Sequence, residues 1–302
     1  MLSYLYRINR MQIRNYIYSL LCRFLKKRNH NHRLSIQKKD IEPIFIIGCG
    51  RSGNTFLAKC LHETGDIFFP PENFSLLRCY SYYLKNINKS WVFRVRGVIK
   101  ILESQEMSNR WKLCDSQIII RDLLNTDEKT LGNIIHTWYS MYGKTIGYPS
   151  ARWGCKTPNI TPFINDMLEI FPKAKIIYIY RDPSEVVQSF ALTSLKIYNK
   201  PSNAEAIWFY YNKVTLQNTK KSNFIWINFE DLIDKRSSTI KKIVNHLKLN
   251  PNKNKVEFIN EDLKLAHLLD LNNDYHQKKY YKKIHLHYFT RRLYKSILSK
   301  NK

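Results

Sequence analysis

The stretch Ile46-Ile47-Gly48-Cys49-Gly50-Arg51-Ser52-Gly53-Asn54-Thr55, IIGCGRSGNT, decides the fold. Gly48, Gly53 and Thr55 stand where the phosphate-cradling pattern G-x-x-x-x-G-K-[ST] places them, but its lysine position holds Asn54. Pro43 to Ile47 reads as a short buried strand, and Asn54 to His62 as a helix with Phe56, Leu57, Cys60 and Leu61 on one face. Strand, glycine loop and helix form the context a phosphate loop requires. This loop lacks the side chain that grips the terminal phosphates of a nucleoside triphosphate, which disfavours a nucleotide kinase or NTPase.

Outward from the loop, Phe74 to Thr137 carries apolar residues at mixed three- and four-residue spacing with few breakers, and reads as a helical insertion running to about residue 140. The strand pattern returns at Arg152 to Lys156 (RWGCK). A helix is expected over Pro158 to Phe171, a buried strand over Lys175 to Tyr180 (KIIYIY), and a helix over Pro183 to Ile197 with proline in its first turn. Asn203 to Gln217 reads as a further helix, Phe224 to Ile227 as a strand, and Glu230-Asp231 as a turn. Alternating strands and helices predict an α/β fold, a P-loop-type parallel sheet flanked by helices. Ligands of such sheets bind at the carboxyl ends of the strands, where Gly48 to Asn54, Lys156 and Arg181 emerge.

The 302 residues suffice for one large α/β domain or two small ones, and 44% hydrophobic with 14% aromatic content marks a globular chain. The formal charge of +26 sits mostly at the ends. Met1 to Asp40 holds 10 Lys/Arg against one acid, and Leu271 to Lys302 holds 9 against one, so the two tails carry +17 of the +26. The chain therefore divides into a basic amphipathic segment at 1–40, a central domain at 41–250, and a basic helical extension at 251–302. The longest uncharged stretch of the first segment, Asn15 to Cys22, is far short of the ~20 residues that cross a bilayer. A helix lying on an anionic membrane surface and a helix packed against the domain are the two readings left open for it. Six cysteines without metal or disulfide spacing fit a reducing, cytoplasmic location, with peripheral membrane contact as its extension. His285 and His287 lack a further ligand, and no metal is expected.

In YIYRDPSEVVQSF, Tyr178 to Phe190, Arg181 leaves a strand end and Ser189 lies eight residues on, about two helical turns along. A guanidinium and a hydroxyl so spaced suit one phosphate beside the main loop.

These residues resemble the sulfotransferases that use 3′-phosphoadenosine-5′-phosphosulfate (PAPS), in particular the bacterial and tyrosylprotein branches. The resemblance runs from about Glu42 to Asn250 and rests on four signatures in order. GCGRSGNT resembles the family's 5′-phosphosulfate loop, and RDPSEVVQS its 3′-phosphate motif. WGCKTP and NFEDL resemble two further segments. The resemblance implies PAPS as co-substrate without metal, bound through Arg51, Ser52, Gly53, Asn54, Thr55, Arg181 and Ser189. It also explains the missing lysine, because this donor has no γ-phosphate to grip. Asn54 departs from the commoner threonine of the family's loop.

Sulfuryl transfer requires an aligned acceptor hydroxyl, a base for its proton and cations on the leaving oxygen. Glu72, in FFPPENFSLL and 21 residues after Arg51, lies close to where the tyrosylprotein and bacterial branches place a glutamate, and the resemblance makes it the expected base, with Arg51 and Lys156 as the cations. A helix N-terminal glutamate after Pro70-Pro71 is the structural alternative for Glu72, and His62 is the rival base. Trp208, Tyr210, Tyr211 and Phe229 are candidates for an adenine slot or for core. The expected acceptor is a hydroxyl of a carbohydrate, a glycolipid or a peptidyl tyrosine. A basic protein binding nucleic acid or membrane, its loop a relic, is the other class weighed, and no specific nucleic acid is expected.

Overall fold

The computed structural model describes residues 41–104, 111, 115–149, 152–193, 200–218, 223–249 and 286–300, with residues 17, 18, 20–22, 24 and 25 of the N-terminal segment. His285, residues 194–197 of the helix expected to reach Ile197, and most of the two basic tails lie outside them, while the described part of that helix already ends at Ala191, with Leu192 as its C-cap.

Five strands form one parallel sheet in the order β2-β3-β1-β4-β5: β1 (Ile44–Ile47), β2 (Ile67–Phe68), β3 (Arg152–Lys156), β4 (Lys175–Tyr180) and β5 (Phe224–Asn228). Every residue of β1 and all but the first of β4 are buried. Such unbroken apolar runs, IFII and KIIYIY, are what strands covered on both faces require. The described residues group into two compact units. One comprises Ile46–Ile67 and the chain from Ile176 onward, and the other comprises residues up to Phe45 with Phe68–Lys175.

In the first unit the phosphate loop leads from β1 into α1 (Asn54–His62). β4 runs into α7 (Pro183–Ala191), followed by α8 (Pro201–Asn218), β5, α9 (Phe229–Asp234), α10 (Arg236–Leu247) and α11 (Tyr288–Lys300). β4 and β5 pair in parallel, from Ile176 opposite Phe224 to Tyr180 opposite Asn228. The Tyr178 hydroxyl donates to Asn212 of α8, whose amide donates to the Trp208 carbonyl at 2.6 Å. Asp182 caps α7, accepting from the Ser184 and Glu185 amides at 2.8 and 3.4 Å. Where a turn was expected at Glu230-Asp231, α9 forms instead. The Asn228 side chain accepts from the Asp231 amide at 2.9 Å and so starts a helix that propensity alone does not announce.

The second unit holds the helical insertion, resolved as α2 (Leu76–Lys85), α3 (Trp91–Glu103), α4 (Ser116–Leu124) and α5 (Leu131–Thr145), and then β3. Trp153 of β3 packs at 4.2 Å on Tyr139 and edge-on to Phe45 and Phe171, so the strand is seated by aromatic contacts. The helix expected over Pro158 to Phe171 is two pieces, a 3-10 turn (Pro158–Phe163) and α6 (Ile164–Ile170). Pro162 supplies the reason, since its missing N–H and its ring break the α-helical ladder at that point. The two-residue strand β2 was not foreseen, being too short to show a period.

Candidate functional site

In the first unit the loop's shape is set by two glycines. Gly53, with φ 92°, is left-handed, and a Cβ there would lie 2.2 Å from the Phe229 ring. At Gly48 a Cβ would lie 2.2 Å from the Ile179 carbonyl oxygen, so only glycine lets the loop approach β4. Arg51 also has positive φ, 67°, a conformation costing a non-glycine residue about 1–2 kcal/mol and observed where the surroundings impose it. Its Nε donates to Ser189 Oγ at 3.0 Å, and its carbonyl accepts from Arg181 Nη1 at 3.4 Å. Residues 51, 181 and 189, separate in sequence, are thus neighbours.

Asn54 explains how the loop closes without a lysine. Its amide is buried and donates to the Cys49 carbonyl at 2.8 Å, bracing the loop across its base. The Ser52 amide is used in the same bracing, donating to Cys49 at 3.3 Å. The Ser52 hydroxyl is fully buried and makes no hydrogen bond within the protein, and α1 begins at Gly53 without a side-chain cap. An uncapped helix N-terminus beside a buried donor hydroxyl and an exposed Thr55 fits an anionic phosphate ligand.

Arg181 is held from several sides. Its Nη2 pairs with Glu185 at 3.2 Å, and its guanidinium lies 4.5 Å over the Phe229 ring. Its carbonyl accepts from Trp208 Nε1 at 3.1 Å, and the next amide, Asp182, donates to Glu230 Oε1 at 3.1 Å. Trp208 and Phe229, two of the adenine candidates, therefore hold the Arg181-Asp182 turn together with Glu230. Trp208 and Tyr211 are buried core, and Phe229 forms the floor under the guanidinium. Sequence spacing gives no sign of the Trp208 and Glu230 contacts, because both are made across elements. His62, in the last turn of α1, is half-buried.

In the second unit Lys156 Nζ forms an ion pair and hydrogen bond with Glu72. Thr157 makes this possible. It is fully buried, and its Oγ1 accepts from the Asn73 amide at 3.1 Å, tying the residue after Glu72 to the residue after Lys156. Asn73 Oδ1 in turn accepts from the Ser75 amide and hydroxyl at 3.0 and 2.7 Å, which shapes the turn into α2. Beneath, Gly154 leaves room for Phe69, whose ring would lie 2.1 Å from a Cβ at that position. The pairing of Glu72 with Lys156 was not foreseen, although each residue was singled out.

The described cysteines 22, 49, 60, 79 and 155 are buried thiols, none in a disulfide. Burial pushes the Cys49 thiol well above its ordinary range, and Cys60 and Cys79 up to about 12, so Cys49 is a packing residue of the loop. Among the described residues no group of three or more His, Cys, Asp or Glu is placed to hold a metal.

A lysine-free phosphate loop on a parallel sheet, with an Arg-Ser pair beside it, defines a P-loop-type α/β protein. The model of the Sulfotransferase family matches residues 43–252, and the chain belongs to that family. Among solved structures it is similar to the sulfotransferase domain of the olefin synthase of Synechococcus PCC 7002. The two share 18% identity and a TM-score of 0.52, over 87% of this chain and 98% of that one. A sulfotransferase domain from the curacin biosynthetic pathway matches with the same identity and TM-score, over 85% of this chain and 98% of that one. At such identity these likenesses concern the fold. A search of curated protein sequences finds no match.

Proposed function

We propose that the protein transfers the sulfuryl group of PAPS to a hydroxyl of a carbohydrate, a glycolipid or a peptidyl tyrosine, without metal. The observation that carries this reading is the Arg51–Ser189–Arg181 cluster beside a phosphate loop that lacks the triphosphate lysine. When bound, the donor supplies an activated sulfur whose bond to the 5′-phosphate oxygen breaks as the acceptor oxygen bonds to it. Adenosine 3′,5′-bisphosphate leaves, and the acceptor's proton goes to a base.

The roles follow residue by residue. The helix N-terminus at Gly53, Asn54 and Thr55, with the Ser52 hydroxyl, holds the 5′-phosphate. Arg51 neutralises charge at the bridging oxygen, and Arg181 with Ser189 holds the 3′-phosphate. Arg181 gives up Glu185 for that phosphate, a stronger acceptor of its two-pronged donor face. Glu72 takes the acceptor's proton and Lys156 stabilises negative charge on the leaving group. Their ion pair sets a condition on this. Lys156 Nζ engages Oε1, one of the two carboxylate oxygens, and the positive charge it spends there becomes free for the developing anion as Glu72 receives the proton.

Labelled PAPS incubated with glycans, glycolipids and tyrosine peptides tests the reading. Label moving to one acceptor class in EDTA supports it, and no transfer to any hydroxyl acceptor contradicts it.

A membrane-surface role for the N-terminal segment is favoured by one observation. Ile17, Leu20, Leu21 and Phe24, spaced three and four apart, are 57, 46, 38 and 59% exposed, while Cys22 on the other face is fully buried. An apolar stripe facing outward in a segment of 10 basic residues and one acid suits an anionic lipid surface. No helix among the described residues is long and apolar enough to cross a membrane.

A further inference from the structure

The family match ends at residue 252, yet α11 (Tyr288–Lys300) returns to the first unit and packs on α8. Its start is fixed by the His287 amide, which donates to Glu205 Oε1 of α8 at 2.6 Å. Thr290, Tyr294 and Ile297, at four- and three-residue spacing, form its inward face: Thr290 and Ile297 are buried and Tyr294 half-buried. The Tyr294 ring meets Trp208 edge-on, centroids 6.0 Å apart at 77°. Trp208 is the fully buried residue whose indole N–H holds the Arg181 carbonyl at 3.1 Å.

We propose that Tyr294 is a positioning residue for the 3′-phosphate grip: its ring fixes the Trp208 indole, which fixes the Arg181 backbone and so the direction of the guanidinium. This rests on the reading of Arg181 as the 3′-phosphate ligand. The same turn is held from a second side. Glu230 accepts from the Asp182 amide through Oε1, while its Oε2 is buried without a hydrogen bond. Burial and the nearby charges of Glu230 and Asp182 raise the Tyr294 phenol above its ordinary range. The phenol therefore stays protonated beside the two carboxylates that hold the same turn. An edge-to-face ring has a preferred geometry, so removing it frees the indole to tilt and loosens the carbonyl it holds.

The test compares two probes on the full-length protein, adenosine 3′,5′-bisphosphate and adenosine 5′-monophosphate, by calorimetry. Wild type is expected to bind the bisphosphate more tightly. Tyr294→Ala should weaken bisphosphate binding about two- to tenfold, the scale of one edge-to-face aromatic pair, and change monophosphate binding less than about twofold. Tyr294→Phe, which keeps the ring, should retain the preference. Tyr294→Leu, which fills the space without a ring edge, should behave as alanine and guards against a misfolded alanine variant. Equal loss for both probes, no loss for either, or a phenylalanine variant as impaired as alanine overturns the inference while leaving the donor reading intact. A wild-type protein with no preference for the bisphosphate overturns the 3′-phosphate assignment of Arg181, and the inference with it.

Discussion

Glu72 and Lys156 meet because Thr157 accepts a hydrogen bond from the Asn73 amide, a contact 84 residues apart in the chain. Replacing Glu72 by Gln keeps its shape and removes its basicity, so turnover should fall by roughly 10²-fold or more. Donor affinity should stay nearly constant, whereas Lys156→Ala and Arg51→Ala should disturb both, which single-turnover and binding measurements separate. If His62→Ala abolishes turnover while the Glu72 variant stays active, the base is His62. Arg181→Ala should weaken bisphosphate binding by about 1.5–3 kcal/mol, the scale of a charged hydrogen bond, and Ser189→Ala by less. The thiols give a pH expectation. Cys49, Cys60 and Cys79 are raised above an ordinary value of 9.0, so the folded protein keeps them protonated where the unfolded chain ionises. Their stabilising contribution is full below pH 9 and is lost as pH rises beyond it, and denaturant titrations from pH 8 to pH 10 should show the decline. The candidate residues could be picked out because loop and strand-end motifs are local. Their partners could not, because the Glu72–Lys156 pair and the Trp208 and Glu230 clamps join positions with no shared period.

The elements follow the hydrophobic pattern closely where the chain is regular. α1, β3 and β4 begin and end where the pattern predicts, since a buried apolar run bounded by glycine, lysine or an Arg-Asp-Pro turn leaves few alternatives. Departures occur where a local hydrogen bond or a ring decides: Pro162 divides one expected helix, and Asn228 starts an unexpected one. The exposed stripe of the N-terminal segment yields a prediction at this scale. Replacing Leu20 and Phe24 together by serine should reduce binding to vesicles containing anionic lipid, and the binding of wild type should weaken with salt. Unchanged vesicle sedimentation for the double variant assigns that stripe no lipid contact.

Over the whole molecule, the charge of +26 belongs mostly to the two tails, and the loop is the more informative signal for the central domain. A pure nucleic-acid or membrane binder has no use for a braced phosphate loop with Arg51, Ser189 and Arg181 drawn together, and the family match covers the region that contains them. The acceptor was not legible, because the insertion between β2 and β3 is read by burial alone and its helices carry no motif for a sugar, a lipid or a peptide. The central claim is the donor, and calorimetry in EDTA tests it most directly. The account predicts micromolar-range binding of adenosine 3′,5′-bisphosphate and weaker binding of ATP, whether or not magnesium is added, because the loop holds Asn54 where triphosphate binders hold lysine. Tighter binding of ATP than of the bisphosphate would contradict it.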